Sequence, residues 1–384
     1  MTIYLSYLLL VAIQFWYAGR NGFLNTKKGK ARLLMICCGE LVLLATLRGF
    51  TVGADTKRYL DALVHYSKLP KKEVLFAKLV WPYDFEQGYF LLVKLCALIN
   101  MPRTVFLLLV ALVIYIPTFY TINRYSKIPF ISILAYFGLG FFSYSLGIFR
   151  QMMAMSFVLC GLRFIEKKQL GWYLLTVALA STFHATVLLT LPLYFLTYVQ
   201  PKKYIKWIVP IELACLVLGR PIILLLVKIV PQYAHYLGGG HDSQGGTYLM
   251  LFLLNALLFG MMYLHSKGFT KNRMAIAALT LGVVVQSVAY SMGLLGRAVY
   301  YFTYFAIFVF AEIAYIMMNE TRIYGIVKTD VLMAWDWCVA MAQKYKISIK
   351  IIVWVGFCVV LGMLVFMNLN GNKYVVPYTF FFMK

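Results

Sequence analysis

Long apolar runs separated by short basic loops constrain the fold of this chain more than any other feature. The sequence has 384 residues, of which 62% are hydrophobic and only 13% are charged. A soluble domain needs a more polar surface, whereas a helix that crosses a bilayer needs about 20 consecutive apolar residues. The runs are continuous rather than alternating in polarity, which argues against a transmembrane β-barrel. The sequence therefore predicts an all-α, polytopic integral membrane protein.

Twelve apolar runs approach the length of a membrane crossing, and we expect between 11 and 14 spans because some runs are short or ambiguous. They cover residues 3–18, 31–47, 104–121, 129–146, 148–165, 170–182, 184–199, 204–218, 248–264, 274–292, 298–318 and 349–367, and 222–230 extends the eighth or forms a re-entrant piece. Basic residues follow the first run rather than precede it, opposite to a signal peptide, so we expect a retained helix with its N-terminus outside.

The net charge of +23 resides mainly in the loops, which is the pattern that orients membrane proteins rather than one that binds nucleic acid. The basic clusters all fall on the cytoplasmic side only if residues 86–99 form an amphipathic helix on the outer surface instead of a span. Both termini then lie outside. These clusters cover residues 20–32, 124–127, 163–168, 202–206, 267–273 and 322–350.

This topology predicts one membrane domain, 1–384, with two regions that do not span. Residues 48–102 form an extracytoplasmic cap of short helices that includes the surface helix 86–99. Residues 319–348 form a cytoplasmic interfacial segment with an apolar face and neighbouring lysines.

Where the second run ends, Arg48 and Asp55 flank a turn that contains two glycines. Asp55-Thr56 is a capping pattern for an amphipathic helix that carries Tyr59. On these residues alone, a salt bridge between Arg48 and Asp55 explains the turn better than a binding site does.

Two further arginines, Arg150 and Arg297, each stand in a short outer turn between apolar sequences. A charge at such a position is costly unless it is paired, and arginine suits bidentate binding of phosphate oxygens. One such arginine is explained equally well by snorkelling to lipid head groups. Together with Arg48, they favour a shared anion site.

Candidate acid–base groups on the same predicted side are Asp55, Glu86 and His184. His184 fits a general base, a phosphate ligand or an interhelical hydrogen-bonding residue equally well. The seven cysteines show no metal-type pairing, and no cofactor motif is present; a divalent metal is compatible with such a site but not indicated.

In combination, these motifs resemble the EpsG family of exopolysaccharide polymerases, which is related to Wzy-type polymerases. The resemblance covers nearly the whole chain. The matching pieces are Arg48 with Val52-Gly53-Ala54-Asp55-Thr56 and Tyr59, Glu86-Gln87-Gly88-Tyr89, Arg150-Gln151, Phe183-His184-Ala185, and Val376-Pro377-Tyr378 with Phe380.

The resemblance implies a GT-C-like glycosyltransferase that acts at the outer face of the bacterial cytoplasmic membrane. Its donor is a glycan on undecaprenyl pyrophosphate, and its acceptor is a sugar hydroxyl of another repeat unit. Expected partners are the membrane lipids and a flippase and chain-length regulator of the same pathway.

On this basis we assign a role to each candidate residue. Arg150 and Arg297, then Arg48, bind the pyrophosphate with Gln151 beside them. Asp55 is the first choice for the base, ahead of His184 and Glu86. The rings of Tyr59 and Tyr89 could stack on sugar faces, but aromatic residues are so common in this chain that packing is the better default.

Two other functions remain open from the sequence. An O-antigen-ligase-like transferase would use the same arginines and histidine with a different acceptor. A non-enzymatic flippase for lipid-linked sugars would instead place charges in matched halves around a central cavity, and no such pairing of halves is apparent.

Overall fold

The structure is a computed structural model that describes residues 1–80, 83, 85–229, 248–290, 293–319, 349–370, 372 and 374–382. Within this part of the chain every regular element is a helix, and the sheet-like pairing is confined to one isolated bridge between Arg48 and Phe380. The predicted all-α class is therefore confirmed. The cytoplasmic interfacial segment lies outside the described residues beyond Asn319, as do residues 230–247.

The α-helices begin and end close to the predicted apolar runs. They are α1 Thr2–Arg20, α2 Lys27–Thr46, α3 Thr56–Ser67, α4 Lys71–Phe76, α5 Gln87–Leu98, α6 Arg103–Tyr125, α7 Pro129–Gly138, α8 Phe141–Gly147, α9 Phe149–Glu166, α10 Leu170–Ser181, α11 Leu191–Tyr198, α12 Pro201–Ile229, α13 Tyr248–Ser266, α14 Arg273–Ala289, α15 Tyr300–Thr303, α16 Ala306–Asn319 and α17 Ile349–Asn370. Two 3₁₀ segments, Ala185–Thr190 and Gly293–Val299, precede α11 and α15.

Fewer helices qualify as membrane spans than the sequence predicts. In the described part of the chain, five helical segments are long and apolar enough to cross a bilayer, or six if α7 and α8 form one broken span. The predicted count of about 12 is not confirmed, because several apolar helices are too short; α5 and α10, for example, have 12 residues each. The predicted outer cap likewise stays a prediction.

The run predicted as one span over 129–146 is divided between α7 and α8, which meet at 59°. Gly140 at the break has a φ of +83°, a left-handed conformation that favours glycine. A Cβ atom there would lie 2.5 Å from the side-chain nitrogen of Asn368. The chain therefore turns where the helix packs tightly against α17.

The chain divides into two compact units. The first contains Met1–Leu188 and Trp354–Lys384, and in it α6 packs against α2 and α9 while α3 packs against α5. The second contains Leu189–Val353, and in it α14 packs against α11, α12 and α13. With the exception of Arg297, every candidate site residue belongs to the first unit.

The turn that follows α2 is held by the end of the chain. We call residues 374–382 the C-terminal clasp. The backbone nitrogen of Gly49 donates to the carbonyl of Thr379 at 2.6 Å, that of Gly53 to Tyr374 at 2.8 Å, and that of Phe381 back to Leu47 at 3.0 Å. Because a turn has few backbone bonds of its own, these bonds set its position.

Candidate functional site

Glu86 is the centre of a cluster of ionisable side chains in the first unit. One carboxylate oxygen, Oε2, accepts a hydrogen bond from Nη1 of Arg150. The other, Oε1, lies 2.9 Å from Nδ1 of His184 and also accepts from the backbone nitrogen of Ala185 at 3.4 Å. We call Glu86, Arg150 and His184 the Glu86 network. Their side chains are 22%, 18% and 23% exposed, so the network is sheltered but not sealed from solvent.

Three distant parts of the chain build this network. Glu86 has an extended backbone and directly precedes α5, Arg150 lies in the first turn of α9, and His184 follows α10. Gly88 brings two of these parts together, because its backbone nitrogen donates to the carbonyl of Thr182 at 2.8 Å. A Cβ atom on Gly88 would lie 2.1 Å from the Thr182 hydroxyl, so only glycine permits this approach.

The network holds Glu86 in its ionised form. Burial alone would raise the pKa of the carboxyl, but the hydrogen bond from His184 and the charge of Arg150 outweigh burial, and the pKa is lowered. An ionised carboxylate can only accept hydrogen bonds, so Nδ1 of His184 must carry a proton. Nε2 is then the ring nitrogen that can take up or release a proton, as in other carboxylate–histidine pairs.

Arg150 is oriented by aromatic and hydroxyl groups as well as by Glu86. Its guanidinium lies 5.2 Å from the centre of the Phe85 ring, and it hydrogen-bonds the Tyr59 hydroxyl. Burial raises the pKa of Tyr59, Arg150 opposes this effect, and Asp55 adds to it. Asp55 therefore lies within electrostatic range of the network through Tyr59, in the N-cap position of α3 but without a capping bond from its side chain.

Tyr59 and Tyr89 lie in the interior of this region. They are 3% and 0% exposed, and the Tyr59 ring stacks on Phe149 at 4.7 Å and contacts Tyr89 at 5.3 Å. In this arrangement neither ring offers a face to a sugar, so the predicted stacking on glycan would require the cluster to open. Their role here is to pack α3, α5 and α9 around the network.

Arg48 has a different environment from the one expected for a pyrophosphate ligand. It is 2% exposed, and its guanidinium donates to three backbone carbonyls: Ala45, Leu146 at 3.1 Å and Val52 at 3.3 Å. Thr56 donates to the last two of these carbonyls at 2.7 and 2.9 Å. Burial lowers the pKa of Arg48 to about 10, which leaves it charged at neutral pH. In this position it ties the turn after α2 to the α8–α9 junction, and its anion-binding role is still a prediction.

The two remaining predicted ligands are placed as follows. Gln151 is 2% exposed inside α9, next to Arg150. Arg297 lies in the second unit, in the segment Gly293–Val299, and its side chain is exposed. The shared anion site of three arginines therefore stays a prediction. No group of three or more His, Cys, Asp or Glu side chains among the described residues is arranged to hold a metal ion.

Phe85 and Thr182 are further site residues that the sequence patterns did not indicate. Phe85 supports the Arg150 guanidinium, and Thr182 accepts the bond that draws Gly88 toward α10. Phe85 could have been identified from its position beside Glu86. An arginine can bind an acidic side chain and at the same time lie over a neighbouring aromatic ring. Nothing local marks Thr182, because its partner is remote in sequence.

Comparison with protein families decides the wider assignment. The model of the EpsG family matches residues 31–334, which include every predicted site residue. This chain belongs to the EpsG family. Membership in the EpsG family indicates a membrane protein that is similar to polysaccharide polymerases and to glycosyltransferases. No curated protein and no solved structure matches the chain. The C-terminal clasp and α1 lie outside the residues that the EpsG model matches.

Proposed function

We propose that this EpsG protein is a polysaccharide polymerase of the bacterial cytoplasmic membrane. It transfers a glycan from undecaprenyl pyrophosphate to a sugar hydroxyl of an acceptor repeat unit on the extracytoplasmic side. The observation that carries the proposal is the Glu86 network, in which one carboxylate orients both an arginine and a histidine. The arginine suits the leaving group of this reaction, and the histidine suits its nucleophile.

Arg150 stabilises the departing pyrophosphate. As the bond between the anomeric carbon and the phosphate oxygen breaks, the electron pair stays on that oxygen, and negative charge grows there. A preoriented cation in a sheltered site lowers the free energy of that transition state more than that of the bound donor. Arginine has five N–H donors in a fixed plane, so it can keep its bond to Glu86 and still bind phosphate oxygens.

His184 accepts the proton of the acceptor hydroxyl at Nε2 as the oxygen forms its bond to the anomeric carbon. Glu86 is the positioning residue, since its Oε1 holds the Nδ1 proton and stabilises the imidazolium that forms. A general base of this kind typically accelerates a reaction roughly 100- to 10,000-fold. The geometry favours His184 over Asp55 as the base, because His184 bonds Glu86 directly, whereas Asp55 acts electrostatically on Tyr59.

The test is to incubate the purified protein in vesicles with lipid-linked repeat units extracted from a strain that lacks it. The proposal predicts a ladder of longer lipid-linked glycans. Movement of the lipid across the vesicle membrane without any new glycosidic bond would identify a transporter instead. Transfer of a finished glycan to a different acceptor, without a ladder, would identify a ligase-like enzyme.

A further inference from the structure

A second site lies in the first unit, away from the Glu86 network. A cavity of about 700 Å³ opens between α1, the start of α7 and α17, and we call it the lysine groove. Its walls are mainly apolar: Phe130 stacks on Trp354 at 5.5 Å and contacts Phe15 at 5.7 Å. Lys30 and Lys127 also line it.

The two lysines form an unusual pair. Lys30 is partly buried, and its ammonium group donates to the carbonyl of Asn123 at 2.8 Å. Burial lowers the pKa of Lys30, and the charge of Lys127 lowers it further. No carboxylate is among the described residues that line the groove. The groove therefore brings two like charges to one apolar cavity, and an anion bound beside both would offset their repulsion.

The surroundings place this groove at a membrane interface. Trp16 lines it, and the guanidinium of Arg20, the last residue of α1, lies 5.2 Å from the Trp16 ring. Tryptophan and basic residues concentrate at the level of lipid head groups. The positive-inside pattern assigns this end of α1 to the cytoplasmic side, where the leaflet is rich in anionic lipid.

We propose that the lysine groove binds an anionic phospholipid, with its phosphate between Lys30 and Lys127 and an acyl chain along Phe15, Phe130 and Trp354. An apolar cavity with cations beside it is complementary to a lipid that carries both a negative head group and a hydrocarbon tail. A zwitterionic lipid fits the walls but not the charge, and free phosphate fits the charge but not the walls.

The experiment measures binding to the purified full-length protein, by native mass spectrometry and by the shift of thermal unfolding in detergent. The probes are dioleoylphosphatidylglycerol, dioleoylphosphatidylcholine and inorganic phosphate. Of these three probes, we expect phosphatidylglycerol alone to stay bound to the wild type and to raise its unfolding temperature. The double variant Lys30→Gln/Lys127→Gln should bind phosphatidylglycerol roughly thirtyfold more weakly, since each lysine near an anionic head group contributes a similar amount to the binding free energy.

Two further variants make the result specific. Lys202→Gln/Lys203→Gln removes two exposed lysines at the start of α12 and should bind phosphatidylglycerol like the wild type. Ala12→Phe keeps both lysines but fills the groove, so it should also lose the lipid. The proposal is overturned if the Lys30/Lys127 variant binds as the wild type does. It is also overturned if the Ala12 variant retains the lipid, or if phosphatidylcholine or inorganic phosphate stabilises the protein equally.

Discussion

At the scale of single residues, Glu86 determines how the other two members of its network are used. Its carboxylate binds Arg150 and His184 through different oxygens, so both side chains are oriented without either losing all its hydrogen-bonding capacity. Because the pKa of Glu86 is lowered, its carboxylate is ionised at neutral pH and can accept both bonds. In the proposed reaction, one acidic residue therefore orients both the group that binds the leaving pyrophosphate and the base that activates the acceptor hydroxyl.

The first prediction distinguishes the two candidate bases. His184→Asn should lower the rate of glycosidic bond formation roughly 100-fold or more while leaving donor binding intact, because the variant keeps a polar group but has no basic nitrogen. Asp55→Asn should retain most of the activity, since His184 is the proposed base and Asp55 acts electrostatically on Tyr59. The measurement is single-turnover transfer from a radiolabelled lipid-linked donor.

A suitable control is His65→Asn, which changes an exposed histidine on α3 and should behave like the wild type. If Asp55→Asn abolished transfer and His184→Asn did not, Asp55 would be the base. The Glu86–His184 pair would then have a structural role.

The types of the site residues were predictable from sequence, but their pairing was not. Lone charged residues between apolar segments are conspicuous, which is why Glu86, Arg150 and His184 were all identified. Arg150 and His184 lie 64 and 98 residues from Glu86 along the chain, and no local pattern specifies such contacts. For the same reason the environment of Arg48 was not predictable, because its partners are backbone carbonyls that folding brings to it.

At the scale of elements, the turn after α2 depends on the C-terminal clasp. The clasp adds backbone hydrogen bonds to Leu47, Gly49 and Gly53, and the hydroxyl of Tyr378 donates to the carbonyl of Leu44 at 2.8 Å. This turn leads directly into α3, which carries Tyr59 and hence one side of the Glu86 network. The end of the chain therefore positions an element of the candidate site.

A packing prediction tests this connection. Gly49→Ala would place a Cβ atom 2.2 Å from the Thr379 hydroxyl oxygen, so it should displace the clasp and destabilise the protein by about 1–3 kcal/mol. Thr379→Ala removes that oxygen, and the double variant should recover most of the loss. Thermal unfolding of the four proteins forms a double-mutant cycle.

Gly39→Ala is the matched control, since a Cβ at this position of α2 meets no other atom within 4 Å. Destabilisation of equal size in the single and double variants would show that Gly49 does not depend on Thr379. The account of the clasp would then be wrong.

Helix positions followed from the apolar runs, because apolar length is what the bilayer requires of a spanning element. The break at Gly140 could not be predicted from the apolar runs, since glycine in a membrane helix is compatible with both a straight and a bent path. The apolar run over 129–146 therefore predicts a continuous helix. The close contact with Asn368 that excludes a side chain at Gly140 joins residues far apart in the chain.

At the scale of the whole molecule, the orientation in the membrane decides which face the Glu86 network opens to. The positive-inside pattern predicts that residues 48–102 lie outside, with α5 on the surface. In a cysteine-free background, Lys71→Cys and Asn100→Cys should react with an impermeant thiol reagent in intact cells. Lys127→Cys should react only after the membrane is opened.

Labelling of the positions on either side of α5 from opposite faces would show that α5 spans the membrane. That result would reverse the predicted sidedness of all later loops. It would also place Arg150 and His184 on the opposite side of the membrane from Glu86, which is incompatible with the Glu86 network.

In the proposed reaction Arg150 binds the leaving pyrophosphate. The length of the lipid-linked glycan ladder made by Arg150→Lys tests this role. Lysine keeps the charge but lacks the planar fork, so the ladder should shorten or disappear, with a loss of roughly 100-fold in rate. Arg163→Lys, an exposed change on the same helix, should give the wild-type ladder at equal protein level. A wild-type ladder from Arg150→Lys would contradict the account.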